Sequence, residues 1–419
     1  MTSPTGPAVP QHNSLSAADS EPARLGIMEG CPPPADKVVR MADGSARTFP
    51  KMRWAYSNMR QLTPTKAVSR GPGPAFELPR AEQDLTGVKA TTMDGKPTTF
   101  GAMIAETYAD GICVLHRGRV VFERYYGALS PEKQHICMSV TKSFIGTLAE
   151  MLADEGAIDP ASLVTRYVPE LKGSAFGDAT VRQVMDMTTG IKYTEVYTDP
   201  NSDIVAYRLA GAAMRDSNYG GPQSYYDYLP TLPKQGEHDV QFTYKTVNTE
   251  VLGWILRRAS GASLSDLLSE RIWSKLGAEQ DGHFLVDSVG TEGAGGGLNV
   301  TLRDLARFGE CMRQGGAFNG RQIVAERAVD SVAAGGDPAK FAPAGYATLP
   351  GWSYRSQWWV SHNEHGAYMA RGVHGQSIYV DPKAEMVIAR FASFPIAGNV
   401  ANDPITLPCF MAVARALTA

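Results

Sequence analysis

Ser139 and Lys142 stand three residues apart in CMSVTKSFIGTLAEML, where a run of apolar residues at helical spacing begins. Residues i and i+3 of a helix share a face, so the lysine amine can reach the serine hydroxyl. A serine hydroxyl attacks a carbonyl only once a base takes its proton, and a lysine is that base only where burial or nearby positive charge keeps it neutral. A helix N-terminus adds partial positive charge and a backbone N–H at the place where an oxyanion forms. The pattern therefore offers nucleophilic acyl transfer. Taken alone it suits an N-cap serine followed by a solvated lysine equally well, and about one S-x-x-K match arises by chance in a chain of this length. A second copy, Ser130-Pro131-Glu132-Lys133, lies in a polar turn with no amphipathic helix beyond it and reads as coincidence. No G-x-S-x-G occurs, which excludes the nucleophile-elbow plan of other hydrolases.

Such a pair needs a scaffold. Phe144, Ile145, Leu148, Met151 and Leu152 make one apolar helix face that ends near Gly156. Upstream, ICVLH (112–116) and VVFERYY (120–126) flank a short Gly-containing turn and read as a hairpin. SIYV (377–380) and MVIARF (386–391) form a matching pair near the C-terminus, so one antiparallel sheet is expected from both chain ends. Residues 405–417 carry apolar residues at helical spacing and are expected to pack on it. Leu264, Leu267, Leu268, Ile272 and Leu276 mark another helix, and Thr301-Leu-Arg-Asp304 resembles a capping box opening a third. No period of 20 to 50 residues repeats itself, so a solenoid is not expected.

The 419 residues are 43% apolar and 20% charged, with 40 Lys+Arg against 43 Asp+Glu. That composition is globular, and the near balance of charge leaves no footprint for phosphate backbones, so no nucleic-acid partner is expected. The longest apolar runs fall far short of the roughly 20 residues that span a bilayer, and no membrane partner is expected. Five scattered cysteines with no CxxC pair argue for free thiols and against a structural zinc site. Residues 1–35 are rich in Pro, Ser, Ala and Gly without a basic start or apolar core, unlike a secretory signal, and are expected to be extended or disordered. With reduced thiols this points to the cytoplasm. His362 and His365 have metal-like spacing but lie past a Trp-Trp strand with no third ligand in view, so no metal is expected.

Several blocks in order then resemble the serine β-lactamase and penicillin-binding superfamily, in particular its branch of nylon-oligomer hydrolases and carboxylesterases: MSVTKS, DEGAIDP, VTRYVPEL, QFTYKTVNTEVLGWI, TLRDLARFG, RSQWW and GVHGQSIYVDP. The similarity runs from about Trp54 to the C-terminus. It implies an α/β fold of the β-lactamase/DD-peptidase type, an antiparallel sheet flanked by helices with an inserted, mostly helical lobe. The expected division is a leader over 1–35, the α/β lobe over 36–165 and 310–419, and the helical lobe over 166–309. The resemblance makes Ser139 the nucleophile, Lys142 its base and Tyr244 the group that protonates the leaving atom. The N–H groups of Ser139 and Val373 would form the oxyanion hole. Tyr197 would cover the substrate, Trp358 and Trp359 would wall the cleft or pack in the core, and Thr246, Gly295 and His374 would border it.

The chain also departs from the pattern. Ala370-Arg371-Gly372 replaces Lys-Thr-Gly, which removes the lysine that β-lactamases use toward the substrate carboxylate. Arg208 stands where efficient nylon-oligomer hydrolases carry an acid for the substrate ammonium, and Gly295 stands where they carry Asn. Nearby Asp203 could replace the missing acid. The expected activity is hydrolysis of a small linear amide or ester through an acyl-enzyme, without metal or organic cofactor. A carboxylesterase without amidase activity, a D-amino-acid peptidase, a weak β-lactamase and a non-catalytic penicillin-recognising binder remain alternatives. Dimers occur among similar proteins, so a homodimer is a further expectation of the resemblance.

Overall fold

Near-continuous apolar runs in the two hairpins call for a sheet covered on both faces, and the computed structural model, which describes residues 14–214 and 218–419, has it. Strands β1 (Ala109–His116) and β2 (Arg119–Tyr125) come from the first third of the chain. Strands β3 (Ser353–Arg355), β4 (Trp358–Val360), β5 (Tyr368–Gly372), β6 (Gln376–Asp381) and β7 (Met386–Ala392) come from its end. They form one antiparallel sheet in the order β3-β4-β5-β6-β7-β1-β2, closed across the chain ends by β7 against β1 with Ile388 opposite Val114. The two-residue turn between β1 and β2 places Arg117 and Gly118 at φ 50° and 74°, the left-handed pair that matches strand twist.

Five helices bear on the site: α1 (Val140–Asp154), α2 (Asp203–Ala210), α3 (Thr246–Ser260), α4 (Leu302–Arg313) and α5 (Asp403–Thr418). Cys113 and Leu115 of β1 share a core with Phe144 and Leu148 of α1 and Phe308 of α4. Ile112 and Val114 point the other way, into a core with Phe410 and Val413 of α5. Helix α3 packs on α1 through Val247, Val251 and Ile255 in the first of these cores. A smaller four-stranded sheet, Thr65–Val68, Gly282–Leu285, Leu298–Val300 and His135–Ile136, lies just before α1 in the chain and anchors its start.

Three details differ from the sequence expectation. The helix marked by Leu264 to Leu276 is interrupted by a π turn at Ser269–Trp273. At the start of α4 the Thr301 hydroxyl accepts the Asp304 N–H at 3.3 Å, but the Asp304 carboxylate turns to the N–H groups of Glu279 and Gln280, leaving half a capping box. Residues 14–35 are also not the loose leader expected from composition. Ile27 joins Val39, Ala46, Met52 and Tyr56 in a third core, and fully buried Ser20 accepts a hydrogen bond from Arg53 at 2.8 Å. Arg53 is itself buried beside Asp110 at 3.3 Å, and a buried guanidinium holds down whatever chain supplies its remaining acceptors.

Candidate active site

Ser139 is presented by a strained turn. The Cys137 N–H is pinned to the Leu298 carbonyl at 2.8 Å, and Met138 then adopts φ 46°, a left-handed conformation costly for a residue with a side chain. Ser139 follows as the N-cap of α1 but makes no capping bond, although an N-cap serine ordinarily spends its hydroxyl that way. Its hydroxyl instead faces the Lys142 amine at 3.0 Å.

Lys142 is 1% exposed, and its amine also donates to the Gly295 carbonyl. Burial pushes its pKa down to about 8, against the opposing pull of Glu195 and Glu250. A neutral amine within reach of a serine hydroxyl is a competent base near neutral pH. The amine also sits 5.2 Å from the centroid of the Tyr244 ring, which stacks on Trp359 at 5.6 Å just before α3. Burial, then the charge of Glu195, raises the Tyr244 phenol well above its usual pKa, while its hydrogen bond to Ser139 pulls the other way. A phenol so held stays protonated and can donate.

The last residue of β5 is Gly372, and a Cβ there would stand 3.0 Å from the Ser139 nitrogen and 2.9 Å from the Cys137 carbonyl. Only glycine lets the strand come this close, and Val373 follows it into the cleft. Among the described residues the Ser139 and Val373 N–H groups have no hydrogen-bond acceptor, as an oxyanion hole requires. Arg371 turns away, bonding Asp403 of α5 at 2.5 Å and lying over Trp359.

A cavity of about 470 Å³ opens at Ser139. The expected border residues Tyr197, Arg208, Thr246, Gly295 and His374 all line it. His374 donates Nδ1–H to the Phe394 carbonyl at 2.7 Å, and burial lowers its pKa to about 4, so it is neutral at pH 7. Gly295 has no room for a side chain, since a Cβ would meet the Thr246 methyl at 2.4 Å. The tryptophans divide as strand neighbours must. Trp359 backs Tyr244, whereas Trp358 is fully buried on the opposite face beside Phe308 and Tyr368, in the core and not on a cleft wall. Asp203 does not replace the missing acid: its carboxylate takes the N–H and hydroxyl of Thr194 at 2.8 and 2.9 Å. The rings of His362 and His365 diverge, to Ser353 at 2.7 Å and Asp381 at 2.9 Å.

Four residues at the site escaped the sequence reading. Glu195 accepts the Thr246 N–H at 2.7 Å, the Thr246 hydroxyl at 2.6 Å and the Tyr197 hydroxyl at 2.6 Å, tying the covering loop to the start of α3. Glu250 accepts the Gly295 N–H at 2.7 Å, the Ala294 N–H at 3.0 Å and the Tyr207 hydroxyl at 2.7 Å, and so holds the residue whose carbonyl meets Lys142. Burial raises the pKa of Glu250. Arg47 reaches the cavity from the N-terminal segment. Glu250 alone left a signal, an acid one turn beyond Thr246 on a face otherwise filled by Val247 and Val251.

A buried serine–lysine pair, a phenol and two unpaired N–H groups on a sheet covered by helices define the class: a serine hydrolase that works through an acyl-enzyme. The chain belongs to the Beta-lactamase family, whose pattern it matches over residues 102–402. It is 37% identical to a 6-aminohexanoate-dimer hydrolase of Paenarthrobacter ureafaciens over 347 residues, 83% of this chain and 86% of that one. A solved Bacillus anthracis protein assigned as a 6-aminohexanoate-dimer hydrolase superposes with a TM-score of 0.83 at 32% identity, covering 92% of this chain and 98% of that one. A family VIII carboxylesterase shares the fold alone, with a TM-score of 0.53 at 16% identity over 72% of this chain and 92% of its own. The fold is that of β-lactamases and penicillin-binding proteins. Among the described residues no helix is long and apolar enough to cross a membrane.

Proposed function

We propose that this serine hydrolase cleaves small linear amides or carboxylic esters with Ser139 as nucleophile, Lys142 as base and Tyr244 as proton donor. The observation that carries the reading is the Lys142 amine, buried, with a pKa brought down to about 8 and 3.0 Å from the Ser139 hydroxyl. Lys142 takes the hydroxyl proton as Oγ attacks the carbonyl carbon. The oxyanion forms against the Ser139 and Val373 N–H groups. As the tetrahedral species collapses, the proton passes through the Tyr244 hydroxyl to the leaving nitrogen or oxygen. Water then attacks the acyl-enzyme by the same route in reverse, releasing the acid and restoring Ser139.

The name of the 37% identical relative makes linear 6-aminohexanoate dimer the amide to try first. The engagement of Arg371 with Asp403 disfavours a β-lactamase, which needs a cation for the substrate carboxylate. Buried thiols at Cys113, Cys137, Cys311 and Cys409 support a reducing compartment such as the cytoplasm. The test is hydrolysis of p-nitrophenyl butyrate and 6-aminohexanoate dimer side by side, with Ser139→Ala protein as blank. Ser139-dependent cleavage of both is the expected result. Cleavage of the ester alone makes the protein a carboxylesterase, and a stable mass increase without turnover makes it a binder.

A further inference from the structure

Arg47 and Arg208 line the same cavity as Ser139, one from the turn Ser45–Arg47 and the other from α2. Several arginines that serve structure are paired with acids, Arg53 with Asp110, Arg257 with Glu292, Arg307 with Asp304 and Arg371 with Asp403, while buried Arg390 is held by the Thr107 carbonyl at 2.8 Å. Neither Arg47 nor Arg208 has a carboxylate within ion-pair distance among the described residues. Arg208 lies over the Tyr197 ring at 5.4 Å, and its guanidinium makes no hydrogen bond to a described residue. Among the described residues the one acid lining the cavity is Glu195, which already accepts three hydrogen bonds. His374, which also lines the cavity, is neutral at pH 7.

The two guanidiniums also feel each other. Desolvation of its guanidinium where it enters the cavity, and then the charge of Arg208, lowers the pKa of Arg47, although the residue as a whole is exposed, so an anion between them would relieve a repulsion as well as form bonds. The charge of Arg208 reaches Tyr56 and His374, whereas the charges acting on Lys142 are Glu195 and Glu250 alone. The pair enters the cavity from the N-terminal turn and from α2, whereas the Lys142 amine is held from α1 against the Ser139 hydroxyl and the Gly295 carbonyl.

We propose that Arg47 and Arg208 form an anion subsite, and that the substrate is an amide or ester carrying a carboxylate at an end remote from the scissile bond. The proposal rests on Ser139 as nucleophile. It makes the N-terminal segment part of the substrate site and gives the cavity the opposite preference to one that reads an ammonium.

Two matched pairs of substrates test it. In one, the p-nitrophenyl monoester of adipic acid is compared with p-nitrophenyl hexanoate, so the charge is on the acyl side. In the other, N-hexanoyl-6-aminohexanoate is compared with N-hexyl hexanamide, so the charge is on the leaving side. The expected result is a kcat/KM at least about tenfold higher for the anionic member of one pair, the scale of a charge-assisted hydrogen bond. That ratio should fall about tenfold in Arg208→Ala and further in Arg47→Ala/Arg208→Ala, survive largely in Arg208→Lys, and shrink as salt is raised. No anionic preference in either pair, or an unchanged ratio in the double variant, overturns the proposal. Should a variant fail to fold, the salt dependence of the wild-type ratio decides, and a ratio indifferent to salt counts against the subsite. Hydrolysis that persists in Ser139→Ala overturns the hydrolase assignment instead, so the two failures are distinct.

Discussion

Two stretches of this chain have the same S-x-x-K spacing nine residues apart, and they have nothing else in common. At Ser130 the hydroxyl bonds Glu132 at 3.3 Å, and the exposed Lys133 amine bonds the Ala128 carbonyl at 3.2 Å instead of its serine. At Ser139 the hydroxyl and the Lys142 amine meet at 3.0 Å inside a buried helix start, with Tyr244 and two N–H donors around them. Spacing brings a pair within reach in either a turn or a helix. Burial is what lowers the amine's proton affinity, and a left-handed residue with a glycine strand end is what places donors at the carbonyl.

The comparison breaks most simply at the nucleophile. Ser139→Ala is expected to lose at least about a thousandfold in turnover of p-nitrophenyl butyrate, while Ser130→Ala stays within about twofold of wild type. A Ser139→Ala protein retaining a tenth of the activity would place the nucleophile elsewhere. The bases come next. Lys142→Met should cost about 10³-fold in kcat and Lys133→Met nothing measurable, the range that removal of a general base produces. Tyr244→Phe should cost about a hundredfold on an amide and less on a p-nitrophenyl ester, whose leaving group needs no proton. Equal losses on both would remove Tyr244 from the protonation step.

The pH dependence sharpens the same contrast. Lys142 must be neutral to take the serine proton, and its pKa lies near 8 because it is buried. Below that pH the amine carries its proton, so kcat/KM should rise about tenfold per pH unit up to about pH 8 and level off above it. A profile already flat across neutral pH would mean that Lys142 is not the titrating base.

Both halves of the comparison were legible in the sequence, because helix periodicity and turn composition are local. So were the two hairpins and the helix that carries Ser139, since β-rich runs around a short turn and 3.6-residue spacing are local signals. Tyr244 and Val373 came only through resemblance, because nothing within a few residues of a tyrosine or a valine says what lies across the cleft. Glu195, Arg47 and Tyr207 left no mark at all. Glu195 is 51 residues from Thr246 and 53 from Lys142, in a loop whose local pattern is polar and unremarkable. Arg47 lies just past the Pro-rich leader in a short stretch with no helix or strand period of its own, six residues before Arg53, whose partner Asp110 is 57 residues further on. The roles of these residues exist only once distant segments have met.

Glu195 offers the smallest effect and the most discriminating one. Its charge raises the Lys142 pKa against the larger effect of burial. Removing that charge in Glu195→Gln should let the amine lose its proton more easily, so the acidic limb of the kcat/KM profile should move to lower pH. Gln keeps one acceptor oxygen for the Thr246 N–H, and its amide N–H can donate to the Thr246 and Tyr197 hydroxyls in place of accepting from them, which separates charge from the tie between loop and helix. A limb that shifts down with KM little changed makes Glu195 an electrostatic partner of the base. A limb that stays in place while KM rises makes it a positioning residue for Tyr197 alone. At Lys133 there is no such acid to remove, and a neighbour such as Glu132→Gln should leave the profile where it is, because a solvated amine in a turn takes no part in the reaction.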